Sequence, residues 1–264
     1  MTRNQTGAEL VVEGLTIRFG GLTAVEDMSF EVRTGEVLSL IGPNGAGKTS
    51  AFNAITGYIE PDGGTISYRG TRLNGLKSNQ IAECGVVRTF QKTSVFMGQS
   101  VAENVLLGLH LVSRQRPLAI IFGLPSIARE ERELAQEARR ILHFVGLAER
   151  GALQASSLPY GELRLLEVAI ALAAKPKLLL LDEPVSGMNP TETANFMKIL
   201  AQIRELGITV LLVEHDMKMV MGASDRIICL NQGRIIASGS PAEIQGDPEV
   251  IRAYLGERYV CAQG

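Results

Sequence analysis

Eight residues, Gly42–Thr49, constrain this chain more than any other segment, because they match the pattern G-x-x-x-x-G-K-[ST] in full. An almost continuous apolar run, Val37–Ile41, leads into them and is typical of a buried central strand. A helix-like run over residues 50–55 leads out. The order strand, glycine-rich loop and helix is that of the phosphate loop in nucleotide-binding α/β folds. The alternative is a glycine-rich turn that carries Lys-Thr by chance, and the flanking strand and helix argue against it.

The composition of the loop follows from the chemistry of phosphate binding. Its glycines allow backbone N–H groups to approach phosphate oxygens closely, and the next helix points its positive end at the same anion. Lys48 adds a charge for the outer phosphates, and Thr49 offers a hydroxyl to Mg²⁺. We therefore predict that ATP or a related nucleotide is held by Gly42, Pro43, Asn44, Gly45, Ala46, Gly47, Lys48, Thr49 and Ser50.

Length and composition exclude several classes of protein. The 264 residues suit one large domain or two small lobes, and the net charge of −2 without a dense Lys/Arg block gives no reason to expect a nucleic-acid partner. The three cysteines lack C-x-x-C spacing, which argues against a zinc site or a disulfide framework. We find no secretory signal, and the apolar runs are too short to span a bilayer.

The hydrophobic pattern predicts antiparallel strands in the N-terminal part of the chain. Leu10–Phe19 and Met28–Val32 alternate and are joined through the Gly20-Gly21 turn, and Thr65–Arg69 resembles an edge strand. Helical patterns follow over Val101–Leu111 and Ser126–Val145.

From residue 178 the pattern returns to α/β. We predict buried strands at Leu178–Leu181 and Ile208–Val213, a helix at Pro190–Leu206, and two short strands around Asn231–Gly233. The fold class is thus α/β, with an antiparallel β edge and an inserted helical subdomain. We expect the core to comprise residues 1–91 and 171–264, and the helical subdomain residues 92–170.

Two carboxylates end the leucine strand, at Asp182 and Glu183. Ligands bind at the carboxyl ends of parallel strands, so Asp182 is placed to hold Mg²⁺. Glu183 is then free to orient or deprotonate the attacking water. The alternative is a pair of surface acids without a ligand. One strand later, His215 follows another apolar run and is a candidate γ-phosphate contact, although a single histidine is more often structural.

Together these segments resemble the ATP-binding cassette (ABC) family of transporter ATPases, over residues 10 to 256. Thr89-Phe90-Gln91 resembles its Q-loop, Leu158–Glu162 its signature sequence, and Val185–Asn189 its D-loop. The resemblance implies that Gln91 contacts Mg²⁺ and the attacking water and that Phe19 lies against adenine. A core residue at the strand end is the alternative for Phe19.

The signature departs from the family pattern. Pro159 stands where the family has serine, so both the hydroxyl and the backbone N–H are missing as phosphate donors, and Asn189 replaces the aspartate of the D-loop. We therefore expect the backbone N–H groups of Tyr160, Gly161 and Glu162 to contact the γ-phosphate across a dimer.

One branch of the family fits best. Phe19–Val25, Gly187–Pro190, Glu214–Met217 and Val250–Gly256 resemble the ATPases of branched-chain amino acid importers. The resemblance implies a second ATPase subunit (identical or related), two membrane permease subunits, a periplasmic binding protein as an indirect partner, and a peripheral location on the cytoplasmic face of the inner membrane. We expect Phe96 and Met97 to line the groove that receives the permease.

Three alternatives stay open at this stage. The first is the ATPase of an envelope-lipid or lipopolysaccharide exporter, whose chains are similar. The second is a soluble ABC protein that acts on ribosomes or DNA, although such proteins usually carry two cassettes. The third is a small-molecule kinase, which explains neither Leu158–Glu162 nor Glu214–Asp216.

Overall fold

Two β-sheets and their surrounding helices make up the computed structural model, which describes residues 7–89, 95–110 and 125–255. The first sheet has four antiparallel strands in the order β2-β1-β4-β5. Its strands are β1 (Ala8–Phe19), β2 (Leu22–Arg33), β4 (Gly63–Tyr68) and β5 (Thr71–Arg72).

The second sheet has six strands, and its centre is parallel. It consists of β3 (Val37–Ile41), β6 (Val86–Arg88), β7 (Leu178–Asp182), β8 (Thr209–Val213), β9 (Arg226–Asn231) and β10 (Arg234–Gly239). The strand order is β10-β9-β3-β8-β7-β6, and among these described strands β10 alone pairs in the antiparallel direction.

Nine α-helices lie within these three described ranges. They are α1 (Lys48–Ile55), α2 (Ser78–Glu83), α3 (Val101–His110), α4 (Pro125–Phe144), α5 (Tyr160–Ala173), α6 (Pro190–Glu205), α7 (Met217–Ala223), α8 (Pro241–Gly246) and α9 (Pro248–Leu255). None of them combines the length and the apolar character that a crossing of the bilayer requires.

The parallel sheet lies between two hydrophobic layers, so every residue of β3, β7 and β8 is buried. On one face, Leu38 and Leu40 pack in the same cluster as Phe52 of α1 and the strands of the antiparallel sheet. On the other face, Val37 packs in a cluster with residues of α3, α4, α5 and α6. This burial on both faces explains why the central strands are continuous apolar runs rather than alternating ones.

A buried carboxylate joins the two sheets. Glu9 of β1 accepts hydrogen bonds from the hydroxyls of Tyr68 in β4 (2.7 Å) and Thr209 in β8. Arg69 pairs with the same carboxylate and lies 5.5 Å from the centre of the Tyr68 ring.

Most of the predicted elements are confirmed, including the hairpin through Gly20-Gly21 and the strand pair around Asn231–Gly233. The prediction of an edge strand at Thr65–Arg69 is wrong, because β4 lies between β1 and the two-residue strand β5. The helix predicted to reach Leu111 is described to His110. The division at residues 92 and 170 stays a prediction, and α5 continues beyond it to Ala173.

Candidate functional site

Four neighbouring strands deliver polar groups to one edge of the parallel sheet. The phosphate loop follows β3, His215 follows β8, Asp182 ends β7 and Arg88 ends β6. The strands run parallel and in register, with Asp182 opposite Val213 and Val213 opposite Leu40. The segments that are far apart in the sequence therefore meet at the carboxyl edge, where ligands bind in such sheets.

Close packing explains two glycines of the phosphate loop. Gly42 has φ 145°, and a Cβ there would lie 2.1 Å from the carbonyl oxygen of Leu230. Gly47 has φ 103°, and its Cβ would lie 2.5 Å from the carbonyl oxygen of Ala24. No side chain caps the start of α1 at Gly47. The loop thus presents the backbone N–H groups of a helix start to an anion.

Lys48 lies folded over its own loop. Its Nζ donates hydrogen bonds to the carbonyl oxygens of Gly42 (2.7 Å) and Pro43 (3.0 Å). Burial lowers the pKa of the Lys48 ammonium, and the nearby negative charge of Glu183 opposes that shift. The positive charge of Lys48 therefore lies within electrostatic range of Glu183 and Asp182 at the end of β7.

The C-terminal helix α9 also touches the phosphate loop. The backbone N–H of Gly42 donates to the hydroxyl oxygen of Tyr254 (2.8 Å). Burial raises the pKa of Tyr254 to about 12, so the hydroxyl stays protonated near neutral pH. Sequence reasoning missed this contact, because the two residues are 212 positions apart.

Asp182 is almost completely buried, with 2% of its surface exposed. One carboxylate oxygen, Oδ2, accepts a hydrogen bond of 2.5 Å from Arg88, whose other terminal nitrogen donates to Asn53 of α1 (2.6 Å). The second oxygen, Oδ1, is buried and has no hydrogen-bond partner among the described residues. A buried carboxylate oxygen without a partner is costly, which fits a site that is completed by a bound cation.

Glu183 and His215 form a pair within the same chain. His215 Nε2 and Glu183 Oε1 lie 2.8 Å apart, and both side chains are partly exposed. Glu183 has φ 49°, an unusual backbone conformation for a residue other than glycine, and its N–H donates to the carbonyl oxygen of Val213 (2.8 Å). Such conformations cost of order 1–3 kcal/mol and cluster at functional sites.

Glu214 connects the segment that follows β7 with the segment that follows β8. Its buried carboxylate accepts the N–H of Val185 (2.9 Å) with one oxygen and those of His215 (2.8 Å) and Asp216 (3.3 Å) with the other. The D-loop and the histidine segment are therefore held by one side chain. The sequence marked Glu214 only as part of a motif.

The signature segment lies at the start of α5. Pro159 precedes the helix, and no side chain caps its first N–H groups. The ring of Tyr160 lies against Gly187 of the D-loop, where a Cβ would be 2.8 Å from the ring, and Glu162 pairs with Arg150 (3.0 Å). Among the described residues, no hydrogen bond or ion pair joins residues 158–162 to the phosphate loop.

Four further residues singled out in the sequence have the following positions. Phe19 is half exposed at the tip of the first hairpin, which excludes the alternative of a core residue. Thr49 is exposed at the start of α1. Gln91 lies outside the described residues. Asn189 caps α6, since its side chain accepts the N–H groups of Thr191 and Glu192 (3.0 Å each).

A family model described as "ABC transporter" matches residues 25–186, which include the phosphate loop, Asp182, Glu183 and the signature segment. The chain belongs to the ABC transporter family. A second model, "Branched-chain amino acid ATP-binding cassette transporter", matches residues 234–260 of this ABC cassette.

Curated relatives of the cassette extend over nearly its whole length. It is 47% identical to the high-affinity branched-chain amino acid transport ATP-binding protein LivG of Salmonella typhimurium over 94% of this chain and 98% of the relative. The corresponding protein BraF of Pseudomonas aeruginosa is 45% identical with the same coverage. A lipopolysaccharide export ATP-binding protein, LptB of Acidithiobacillus ferridurans, is 35% identical over 89% and 91%.

Solved structures agree with the fold. The ADP conformation of MJ1267, an ATP-binding cassette of an ABC transporter, superposes with a TM-score of 0.83 at 31% identity and covers 96% of this chain and 100% of that chain. A nucleotide-free cassette gives the same TM-score, 0.83, at 30% identity, with 95% and 100% covered. The predicted α/β fold of an ABC ATPase is thus confirmed.

The residues at the sheet edge also suit a metal that arrives with a nucleotide. In the described part of the chain, no group of three or more His, Cys, Asp or Glu side chains could hold a metal ion alone. Mg²⁺ commonly binds through one or two protein oxygens together with substrate phosphates. The single available oxygen of Asp182 and the hydroxyl of Thr49 fit that pattern.

Proposed function

We propose that this chain is the ATP-hydrolysing subunit of an ABC importer that energises the uptake of branched-chain or related hydrophobic amino acids. The observation that carries this proposal is the 47% identity with LivG over nearly both full chains, together with the match of the branched-chain amino acid model to residues 234–260. The similarity to LivG covers 94% of this chain and 98% of LivG, and the branched-chain amino acid model matches the region that contains α8 and α9.

ATP is bound by the phosphate loop in this proposal. The N–H groups of the loop and the charge of Lys48 hold the phosphates, while the exposed ring of Phe19 stacks on adenine. Thr49, Asp182 and Gln91 would hold Mg²⁺, which supplies charge neutralisation for the phosphate oxygens when it is bound. The buried, unpaired oxygen of Asp182 supports this ligand set.

Hydrolysis is assigned to the pair at the strand ends. Glu183 orients or deprotonates the attacking water, a role that typically contributes about 10²–10⁴-fold in rate. His215 contacts the γ-phosphate, and its 2.8 Å contact with Glu183 keeps the two side chains in one orientation. Gln91 completes the set as a contact of the water. Both side chains are partly exposed, so a phosphate and a water can reach them.

We propose that two copies, or this chain and a related ATPase, share each nucleotide. In the described part of the chain, no side chain caps the N–H groups of Tyr160, Gly161 and Glu162 and no hydrogen bond joins them to the phosphate loop, which supports a partner in trans. Hydrolysis is then gated by closure of the pair, because neither chain alone completes the site.

The membrane partners follow from the same assignment. Phe96 and Met97 are 58% and 48% exposed, which supports a docking surface for a permease subunit on the helical subdomain, residues 92–170. We propose two permease subunits, a periplasmic binding protein as an indirect partner, and a peripheral location on the cytoplasmic face of the inner membrane.

Purification from the native membrane tests this function against the exporter alternative. The importer predicts that a tagged chain brings down two membrane subunits and that ATP hydrolysis in proteoliposomes rises with a binding protein loaded with leucine, isoleucine or valine. The 35% identity with LptB is the observation that favours the exporter. Stimulation by lipopolysaccharide, with no response to a loaded binding protein, would replace the importer by the exporter.

A further inference from the structure

Arg88 occupies an unusual position for an arginine. Its side chain is only 7% exposed and lies at the end of β6, where it contacts three groups on two other elements. One terminal nitrogen donates to Asp182 Oδ2 at 2.5 Å and the other to Asn53 Oδ1 at 2.6 Å. The guanidinium carbon lies 5.5 Å from the centre of the Phe52 ring. A planar group is thus fixed in both direction and tilt.

These contacts connect the two elements on which the proposed metal ligands lie. Asn53 follows Thr49 by four residues in α1, and residues four apart share one face of a helix. Arg88 therefore ties the Thr49 face of α1 to Asp182 at the end of β7. A lysine could not reproduce this arrangement, because it has one nitrogen on a flexible stem.

The two carboxylate oxygens of Asp182 differ in their hydrogen bonding. Oδ2 is occupied by Arg88, whereas Oδ1 is buried and has no partner among the described residues. The hydrogen bond from the guanidinium to Oδ2 restrains rotation of the carboxylate, so Oδ1 keeps a preferred direction. Groups that orient a ligand in this way typically change metal affinity by about 10–100-fold when they are removed.

We propose that Arg88 is a positioning residue that, with Asn53, fixes Asp182 against the Thr49 face of α1 and keeps one carboxylate oxygen available to the metal of the nucleotide. This inference rests on the proposed Mg²⁺–nucleotide site and adds to it the residues that set how tightly the metal is held. Arg88 contacts neither nucleotide nor water in this role.

The test measures metal affinity separately from nucleotide affinity. Binding of Mn²⁺ to the full-length chain, saturated with a non-hydrolysable ATP analogue, is followed by the electron paramagnetic resonance signal of free Mn²⁺. Nucleotide affinity is measured in parallel in EDTA. For Arg88→Lys we expect the Kd of Mn²⁺ to rise about 10–100-fold, while the Kd of the metal-free nucleotide stays within about twofold. If Arg88 had a purely structural role, Arg88→Lys would weaken the binding of both Mn²⁺ and the nucleotide, or of neither.

Two further variants keep the test decisive. Asn53→Ala leaves the ion pair between Arg88 and Asp182 intact, so the chain should fold even if Arg88→Lys does not. We expect this variant to raise the Kd of Mn²⁺ by roughly threefold or more, below the range for Arg88→Lys. The matched control is Arg69→Lys, because Arg69 also pairs with a buried carboxylate and its guanidinium carbon also lies 5.5 Å from the centre of an aromatic ring, but in the turn between β4 and β5. The control should leave both affinities unchanged.

The outcomes separate this inference from the proposed function. Wild-type protein that binds neither the analogue nor Mn²⁺ would refute the nucleotide site itself. Wild-type protein that binds both, together with a folded Arg88→Lys variant whose Mn²⁺ affinity is unchanged, would overturn the positioning role alone. If Arg88→Lys does not fold, an unchanged Mn²⁺ affinity in Asn53→Ala would overturn it instead.

Discussion

The carboxyl edge of the parallel sheet and the start of α5 are both assigned to phosphate binding, yet they are built differently. The sheet edge presents side chains from three neighbouring strands. Lys48 lies in the phosphate loop that follows β3, His215 follows β8, and Asp182 and Glu183 lie at the end of β7. The start of α5 presents backbone, since Pro159 supplies no donor and no side chain caps the helix. Side-chain sites depend on residue identity, whereas a helix start offers its N–H groups with almost any sequence.

The two regions should therefore tolerate substitution differently. At the sheet edge, each functional group is held by specific bonds, such as those of Lys48 to its own loop and of Asp182 to Arg88. Single changes there should be severe. At the start of α5, changes that preserve the helix should be mild.

The largest effect is expected at Glu183. Replacement of Glu183 by Gln removes the base but keeps the shape and the contact distance to His215, so turnover should fall by about 10²–10⁴-fold while ATP still binds. Phosphate release measures the first effect and calorimetry the second. The control is Glu243→Gln, a carboxylate that caps α8 outside the site. Turnover within a few-fold of wild type would remove Glu183 from the chemistry.

The second largest effect is expected for Lys48→Ala. A hydrogen bond to a charged group is worth about 1.5–3 kcal/mol, so loss of the ammonium should weaken ATP binding by about 10–150-fold. Calorimetric titration with MgATP gives the Kd. The control is Lys198→Ala, on the exposed side of α6. Equal affinities for the two variants would mean that Lys48 does not contact the phosphates.

Glu214→Gln should have an intermediate effect on rate. A glutamine places an NH2 group where one of the two carboxylate oxygens now accepts, so the N–H of either Val185 or His215 would face another donor. The D-loop and the histidine segment should then move independently. We expect kcat to fall about tenfold, equivalent to about 1.4 kcal/mol, with KM nearly unchanged. A rise in KM at constant kcat would show that Glu214 supports binding instead.

The smallest effect is expected at Pro159. Alanine or serine there should leave ATPase activity within about tenfold, because γ-phosphate recognition is assigned to the N–H groups of residues 160–162. Steady-state hydrolysis by the two variants gives the comparison. A large gain for Pro159→Ser but not for Pro159→Ala would show that a hydroxyl at this position matters and that the backbone alone is insufficient.

The sheet edge was largely predictable, because its signals are local. The glycine-rich loop, the leucine strand before Asp182 and the strand before His215 each carry their own pattern. Parallel pairing then brings their ends together. Phe96 and Met97 are exposed, as a surface that receives the permease requires, and the groove itself stays a prediction.

The supporting contacts were not predictable, because they join residues that are distant in sequence. Arg88 and Asp182 are 94 positions apart, and Tyr254 and Gly42 are 212 apart. Such pairs depend on which strands are neighbours in the sheet, which no local pattern encodes. The misplaced edge strand has a similar cause, since β5 has only two residues and is too short to show a period.

Size-exclusion chromatography with light scattering on the Glu183→Gln variant tests the central claim most directly. In the proposed assembly, two chains bind the nucleotide between the phosphate loop of one and the signature helix of the other. Excess MgATP should then convert the variant to a long-lived dimer, and EDTA should return it to monomer. A variant that binds MgATP and remains monomeric at high protein concentration would contradict the shared site.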